Sequence, residues 1–281
     1  MKISFLKIGI GVFIVIAAGF ALTLIPSRVS DKTIKGVQLR SAVWSGTIRI
    51  AGDTLFLPWM TLTIKPGTKI LFDKQSDISG TDWTDFADAY IKDHNDPTGR
   101  VGYGKSHFDL VARIRAIGGK EQPIIFTSAQ DRPEYADWDQ LVLFGGSRLE
   151  FTEVSYAHNG VNINGKNVIV RNSKIHDSLW SCIDIFSTEN LIENNEIYHC
   201  WHQAAGGKTP GPNIIRNNNI HDAQLGVNCE NGANPTIENN KLAAAPINPD
   251  CPKGAGNIIE ERPRDVPGGT YNSQLIYPAV E

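Results

Sequence analysis

A histidine followed directly by an aspartate occurs twice, at His176–Asp177 and His221–Asp222, and a third imidazole stands between them at Tyr198–His199. Imidazole moves protons near neutral pH, and with carboxylates it can also ligate a metal. His176, Asp177, His199, His221 and Asp222 are therefore the catalytic candidates, with His176 or His221 as a base. A second group is aromatic: Trp180, Tyr198 and Trp201, with His202 alongside, offer flat rings of the kind that hold the apolar faces of sugars. Trp180 and Trp201 are expected in equivalent bends of adjacent repeats. A third group is a polar row, Asn162, Asp184, Asn228 and Asp250. Glycoside hydrolysis needs two carboxylates about 5–9.5 Å apart. The acids of this row, Asp184 and Asp250, are separated by three repeats, which argues against a hydrolase. The chain contains no G-x-S-x-G, H-E-x-x-H, P-loop or C-x-x-C zinc pattern, so no metal site is assigned and no cofactor is named.

What lines these residues up is a repeat. VRNSKIHD (170–177), IENNEIYH (192–199), IRNNNIHD (215–222) and IENNKLAA (237–244) recur at intervals of 22, 23 and 22 residues. A period of this length belongs to architectures in which each unit buries its apolar face on the next. Short alternating runs punctuated by Asn and Gly read as strands and bends, so each unit makes one turn of a single-stranded parallel β-helix.

Overlaying the units gives columns about 4.8 Å apart from rung to rung. Leu149, Val170, Ile192, Ile215 and Ile237 form one apolar column, and Val154, Ile175, Ile197, Ile220 and Leu242 a second. Val161, Ile183 and Val227, then Ile163, Ile185 and Cys229, form two more. Asn172, Asn194, Asn217 and Asn239 are expected to make a hydrogen-bonded ladder at a turn. Since Ile175, Ile197 and Ile220 point inward, the next residues point out. Ser155, His176, Tyr198 and His221 then share one outer column, and Tyr156, Asp177, His199 and Asp222 the next. A coil stacks polar side chains all along its outside, and an Asp after His often closes a turn, so this stripe also has a purely structural reading.

Upstream the strand pattern continues in WSGTIRI (44–50), LTIKPGTKILF (62–72), RIRAIGGKEQPIIFTS (113–128) and ADWDQLVLFGGS (136–147). With the Asn-rich units that follow, these stretches resemble the bacterial right-handed parallel β-helix repeat proteins of the pectin-lyase-like superfold. The resemblance spans roughly residues 44–243. It implies an all-β, right-handed parallel β-helix. That superfold carries lyases, glycosidases, epimerases, adhesins and proteins with no chemistry, so it implies no single activity. Its lyases and epimerases use a basic residue and a carboxylate neutraliser. Lys166, Arg171, Lys174, His176 and Arg216 lie near enough in sequence to contribute, but no catalytic motif carries over residue by residue.

The rest of the chain bounds where such a protein works. With 27 Lys and Arg against 30 Asp and Glu, the net charge of −3 gives no general attraction to nucleic acid, which is excluded as a partner. Residues 8–25 are an uncharged apolar run behind Lys2 and Lys7, at the lower limit of a membrane span and longer than the core of a cleaved signal. An N-terminal transmembrane helix, held in the cytoplasmic membrane, is the preferred expectation over a cleaved signal. Residues 1–28 are thus anchor or signal, 29–43 a linker, 44–254 the β-helix and 255–281 a tail. An insertion at 73–109 should carry a short amphipathic helix with Trp83, Phe86, Ala87, Tyr90 and Ile91 on one face; its aspartates do not follow a calcium-loop pattern. Cys229 and Cys251 fall one period apart and are expected to stack within disulfide range, or as two buried thiols. Cys182 and Cys200 occupy different places in their coils, and no pairing is assigned to them.

The functional expectation is an exported, membrane-tethered protein of the bacterial cell envelope, facing the periplasm or exterior, that binds or scaffolds on polysaccharide without catalysis. An enzyme acting on acidic glycans by β-elimination or epimerisation is the first alternative. A periplasmic metal-handling β-helix protein, in the manner of the copper-linked β-helix family, is the second; it rests on the His and Asp stripe alone.

Overall fold

The computed structural model describes residues 26–74 and 110–265. The membrane helix expected over residues 8–25 and the short helix expected within the insertion lie outside the described residues. Among the described residues, no helix is long and apolar enough to cross a membrane.

All strand pairings between named elements are parallel, and they fall into three stacks that form the faces of one coil. The first runs through 42–44, 62–64, 114–116, 148–150, 169–171, 191–193, 214–216 and 236–238. The second runs through 47–50, 69–72, 125–128, 152–154, 174–176, 196–198, 219–221, 241–243 and 258–260. The third joins 54–55, 110–111, 141–142, 161–163, 183–185, 205–207 and 227–229. The apolar columns read from the repeat point inward: Val170, Ile192, Ile215, Ile175, Ile197, Ile220 and Leu242 are all buried. In the coil of CIDI (182–185) and its successor, Ile183 is followed by Ala205 and Ile185 by Gly207, smaller fillers of the same two columns.

Two boundaries move. Ser27–Gln38 pairs along its length with Ala42–Phe56, so the stack begins at Ser27, ahead of the stretch 29–43 expected as a linker, where Val29 and Ile34 pack on the core. Its charged residues, Lys32 and Lys35, mask the alternation, as is common on an edge strand. At the other end Ile258–Glu260 pairs with Lys241–Ala243, one rung past the boundary placed at 254.

The Asn ladder also moves, by one residue. Asn172, Asn194, Asn217 and Asn239 are exposed and sit at φ of 51°, 56°, 55° and 53°, the left-handed conformation that turns the chain. Each turn aims the following side chain into the corner, where bend amides need partners. The hydrogen-bonded column is therefore Ser173, Asn195, Asn218, Asn240 and Asn257. The backbone N–H of Asn195 donates to Asn218 Oδ1 at 2.9 Å, that of Asn218 to Asn240 Oδ1 at 2.9 Å, and that of Asn240 to Asn257 Oδ1 at 2.9 Å.

Cys229 is bonded to Cys251 with Cα atoms 5.2 Å apart, and Cys182 to Cys200 with Cα atoms 5.5 Å apart. The second pairing has no period behind it, since its 18-residue separation is shorter than a coil. The register of the last coil differs from the expectation. Val227 bridges Ile247, so Asn248 stands over Asn228 and donates to its Oδ1 at 2.6 Å, while Asp250 is exposed and leaves the polar row. A turn in which the Cys251 N–H donates to the Asn248 carbonyl returns Cys251 to its partner.

Candidate functional site

A second bend column positions the His and Asp stripe. Tyr156, Asp177, His199, Asp222 and Ala244 all have left-handed φ, between 50° and 62°, and end the strands of the second stack. The residue before each bend lies in strict register: Ser155 beside His176, His176 beside Tyr198, Tyr198 beside His221. Their rings form a continuous stack. His176 and Tyr198 lie 4.7 Å apart and 1° from parallel, and Tyr198 and His221 4.8 Å apart and 6° from parallel. His199 meets Tyr198 edge-on at 4.7 Å.

Carboxylates hold the imidazoles. His176 Nδ1 lies 2.7 Å from Asp177 Oδ2, and His199 Nδ1 lies 3.0 Å from Asp177 Oδ1, which also accepts the Tyr135 hydroxyl at 3.2 Å. His176 Nε2 is 3.5 Å from Glu153. One period on, His221 Nδ1 is 2.8 Å from Asp222 Oδ2. Asp222 in turn is clamped by both terminal nitrogens of Arg262, at 2.9 and 2.8 Å, and by the Asp265 N–H at 2.7 Å. Glu153, Tyr135 and Arg262 escaped the sequence reading. Glu153 carries the signal of standing beside Lys174 in register, but Arg262, 40 residues from Asp222, carries none.

These contacts set the protonation states. Burial alone would push the His176 imidazole down, but Asp177 and Glu153 outweigh it and hold its pKa up to about 9. Burial would likewise raise Asp177, yet the two imidazoles keep its carboxyl well below the usual range. Burial, with the Asp177 charge behind it, pushes the Tyr198 hydroxyl up to about 12. His176 thus has both nitrogens turned to carboxylates, and an imidazolium held this way has no lone pair with which to take up a proton. His199 and His221 both turn Nδ1 to an aspartate, and His221 Nε2 lies 3.9 Å from Glu196 Oε1.

The aromatic group is rearranged. Tyr198 has an imidazole on each face, so its ring cannot lie flat on a sugar, and it offers only its edge and hydroxyl. Trp180 stacks on His202 at 4.5 Å and 19°. All four, Trp180, Tyr198, Trp201 and His202, remain half-buried at the surface along two successive coils.

The polar row is in register but is not a solvent-facing column, since Asn162, Asp184 and Asn228 are buried. Asn162 Nδ2 donates to Gln140 Oε1 at 2.8 Å, Gln203 Nε2 donates to Asp184, and Asn228 Nδ2 donates to Gln203 Oε1 at 2.6 Å. Burial raises the Asp184 carboxyl against the opposing pull of Lys208 and Gln203. Among the described residues, no three His, Cys, Asp or Glu side chains gather in a group that could hold a metal ion.

No curated protein matches the sequence. A solved structure, that of a mutant of the periplasmic alginate epimerase AlgG, is similar at 10% identity with a TM-score of 0.37, over 84% of this chain and 74% of that one. Residues 135–258, which hold the whole stripe, match the family model described as the right handed beta helix region, and the described residues have the fold of a right-handed parallel β-helix.

Proposed function

We propose that this protein is exported, tethered in the cytoplasmic membrane by residues 8–25, and binds a hydroxyl-rich envelope polysaccharide along the 153–222 stripe without catalysis. The observation that carries the reading is the repeated row of ring edges. His176, Tyr198 and His221 stack at intervals of 4.7 and 4.8 Å, close to the length of one sugar unit in an extended chain, and Tyr198 and His221 reach the surface. Rigid, pre-ordered donors and acceptors at a polymer's own spacing lose little entropy on binding. The same locking makes His176 unfit to abstract a proton.

Two measurements test it. Retention of the purified chain on immobilised envelope polysaccharides should fall several-fold in Tyr198→Phe with Trp201→Ala, and equal retention of variant and parent would overturn the reading. A C-terminal tag on the full chain should be digested by protease in spheroplasts; a protected tag would remove the exported topology.

An enzyme acting on acidic glycans has one observation in its favour, the His199–Asp177 pair beside the Tyr198 ring, which resembles a base and its orienting carboxylate. Absorbance of an unsaturated product that grows on uronate polymers and vanishes in His199→Ala would establish it in place of simple binding.

A further inference from the structure

The charge of the described chain is divided along the coil axis. Residues 26–74 carry 8 Lys and Arg against 3 Asp, whereas residues 110–265 carry 14 against 19. The basic part is the N-terminal end of the stack. There Ser27–Gln38 is paired on one side only among the described residues, and it leaves Arg28, Lys32 and Lys35 exposed, with Arg40 beyond it. The single carboxylate of that strand, Asp31, is occupied by the Thr47 N–H at 2.8 Å and the Ser30 hydroxyl at 2.7 Å.

Large apolar side chains stand exposed at the same end. Gln38 pairs with Phe56, so the bends at 39–41 and 57–60 follow one another at one corner of the first two coils. Leu39 is 70% exposed, Trp59 71% and Val37 48%. The Trp59 bend is a tight one, closed by the Met60 N–H on the Leu57 carbonyl at 2.8 Å, which throws Pro58 and Trp59 outward. Tryptophan, leucine and basic side chains on one surface are the composition of a protein face seated at a lipid interface, where indoles rest at headgroup depth and Lys and Arg meet anionic lipid. The position of this face agrees. The uncharged run 8–25 ends at Pro26, the residue immediately before the edge strand.

We infer that the N-terminal face of the coil, formed by Ser27–Gln38 and the bends at 39–41 and 57–60, lies against anionic phospholipid, so that the β-helix stands upright on the bilayer with its stripe projecting away. The inference rests on the proposed tether for its place in the cell but not for its chemistry. Seated this way, the basic edge strand is covered by headgroups, and strand-on-strand association through it is blocked.

The test uses the full chain with a protease site inserted beside Pro26, reconstituted into vesicles of phosphatidylcholine with or without phosphatidylglycerol, and cut after assembly. The freed coil should float with the phosphatidylglycerol vesicles at low salt and dissociate from them at high salt. Retention should fall several-fold in Lys32→Glu with Lys35→Glu, and again in Leu39→Ser with Trp59→Ser. Lys253→Glu with Arg264→Glu, an equal charge change at the opposite end, should leave it unchanged. Release that is the same from both vesicle types would overturn the inference, as would retention that ignores these variants. Self-association in lipid-free buffer without vesicle retention would assign the face to a second copy of the chain and overturn it as well. If the uncut chain does not insert, the tether is wrong. The docking face is then judged by floating the intact protein with the same vesicles.

Discussion

The side chain of Gln203 lies over Gly206 and fills the rung that the glycine leaves bare. A Cβ placed on Gly206 would collide with Gln203 Nε2. Gly206 sits in register between Asp184 and Asn228, and the Gln203 amide takes its place by donating to Asp184 and accepting from Asn228. The polar row is thus continuous because a residue three positions earlier completes it.

Gly206→Ala should therefore expel Gln203 and leave the buried Asp184 without its amide donor. The expected loss is about 2–3 kcal/mol in chemical denaturation, the penalty for stranding a buried polar group. Gln203→Ala should cost a similar amount, and the double variant much less than the sum. Additive losses would show that the glycine and the amide do not share a rung.

His176 makes stability depend on pH in a defined direction. Its folded pKa of about 9 stands above its ordinary 6.5, so its contribution is complete below 6.5 and is lost as pH rises through 9. The shift corresponds to ~3 kcal/mol as an upper bound. Asp177 is held low and acts in the opposite sense: its contribution is present above its ordinary 3.8 and lost in stronger acid. Between those limits the pair supports the fold most. The stability difference between parent and His176→Gln should shrink steadily from about pH 6 to about pH 10. A difference that stays flat over that range would show that the imidazole is not charged in the native state.

The two disulfides close loops of 18 and 22 residues, for which chain entropy gives ~3 kcal/mol each. Cys182→Ser with Cys200→Ser and Cys229→Ser with Cys251→Ser should each lower stability by about that amount. Only the first pair should also broaden the imidazole signals of His199, which directly precedes Cys200. Equal effects of both pairs on His199 would argue that its bend is fixed by the Asp177 contact alone.

The parts legible in the sequence were those that repeat. Ile175, Ile197 and Ile220 marked the core because each occurs at one point of a fixed period, and the register of His176, Tyr198 and His221 followed from them. The same repeat held a further message, since the charged position reads Arg171, Glu193, Arg216, Glu238. In the coil these stand side by side, continuing from Glu150, with Arg171 2.8 Å from Glu150 and Arg216 2.8 Å from Glu193. What stayed hidden was whatever depends on side-chain direction or on distant chain. Periodicity fixes which residues are neighbours but not that two imidazoles cover both faces of Tyr198. Nor does it bring Arg262 to Asp222, or tell which of two consecutive Asn columns turns the chain and which bonds along it.

That last ambiguity gives the sharpest contrast between adjacent residues. Asn217 turns the chain at φ 55° with its side chain exposed, so Asn217→Gly should be nearly neutral and Asn217→Ala should cost only about 1–2 kcal/mol from the left-handed backbone. Asn218 is buried. Its Oδ1 accepts from the backbone N–H and the Nδ2 of Asn195, at 2.9 and 3.1 Å, and its Nδ2 donates to the Ile192 carbonyl at 3.0 Å and to Asn240 Oδ1 at 3.0 Å. Asn218→Ala removes all four bonds and leaves buried groups on the coils above and below unpaired, which should cost roughly 2–4 kcal/mol. Asn218→Gly should do no better, because backbone freedom is not what the position requires. Denaturation midpoints of the four variants decide the matter: if glycine rescues position 218 or fails at position 217, the assignment of turn and ladder to these two columns is reversed.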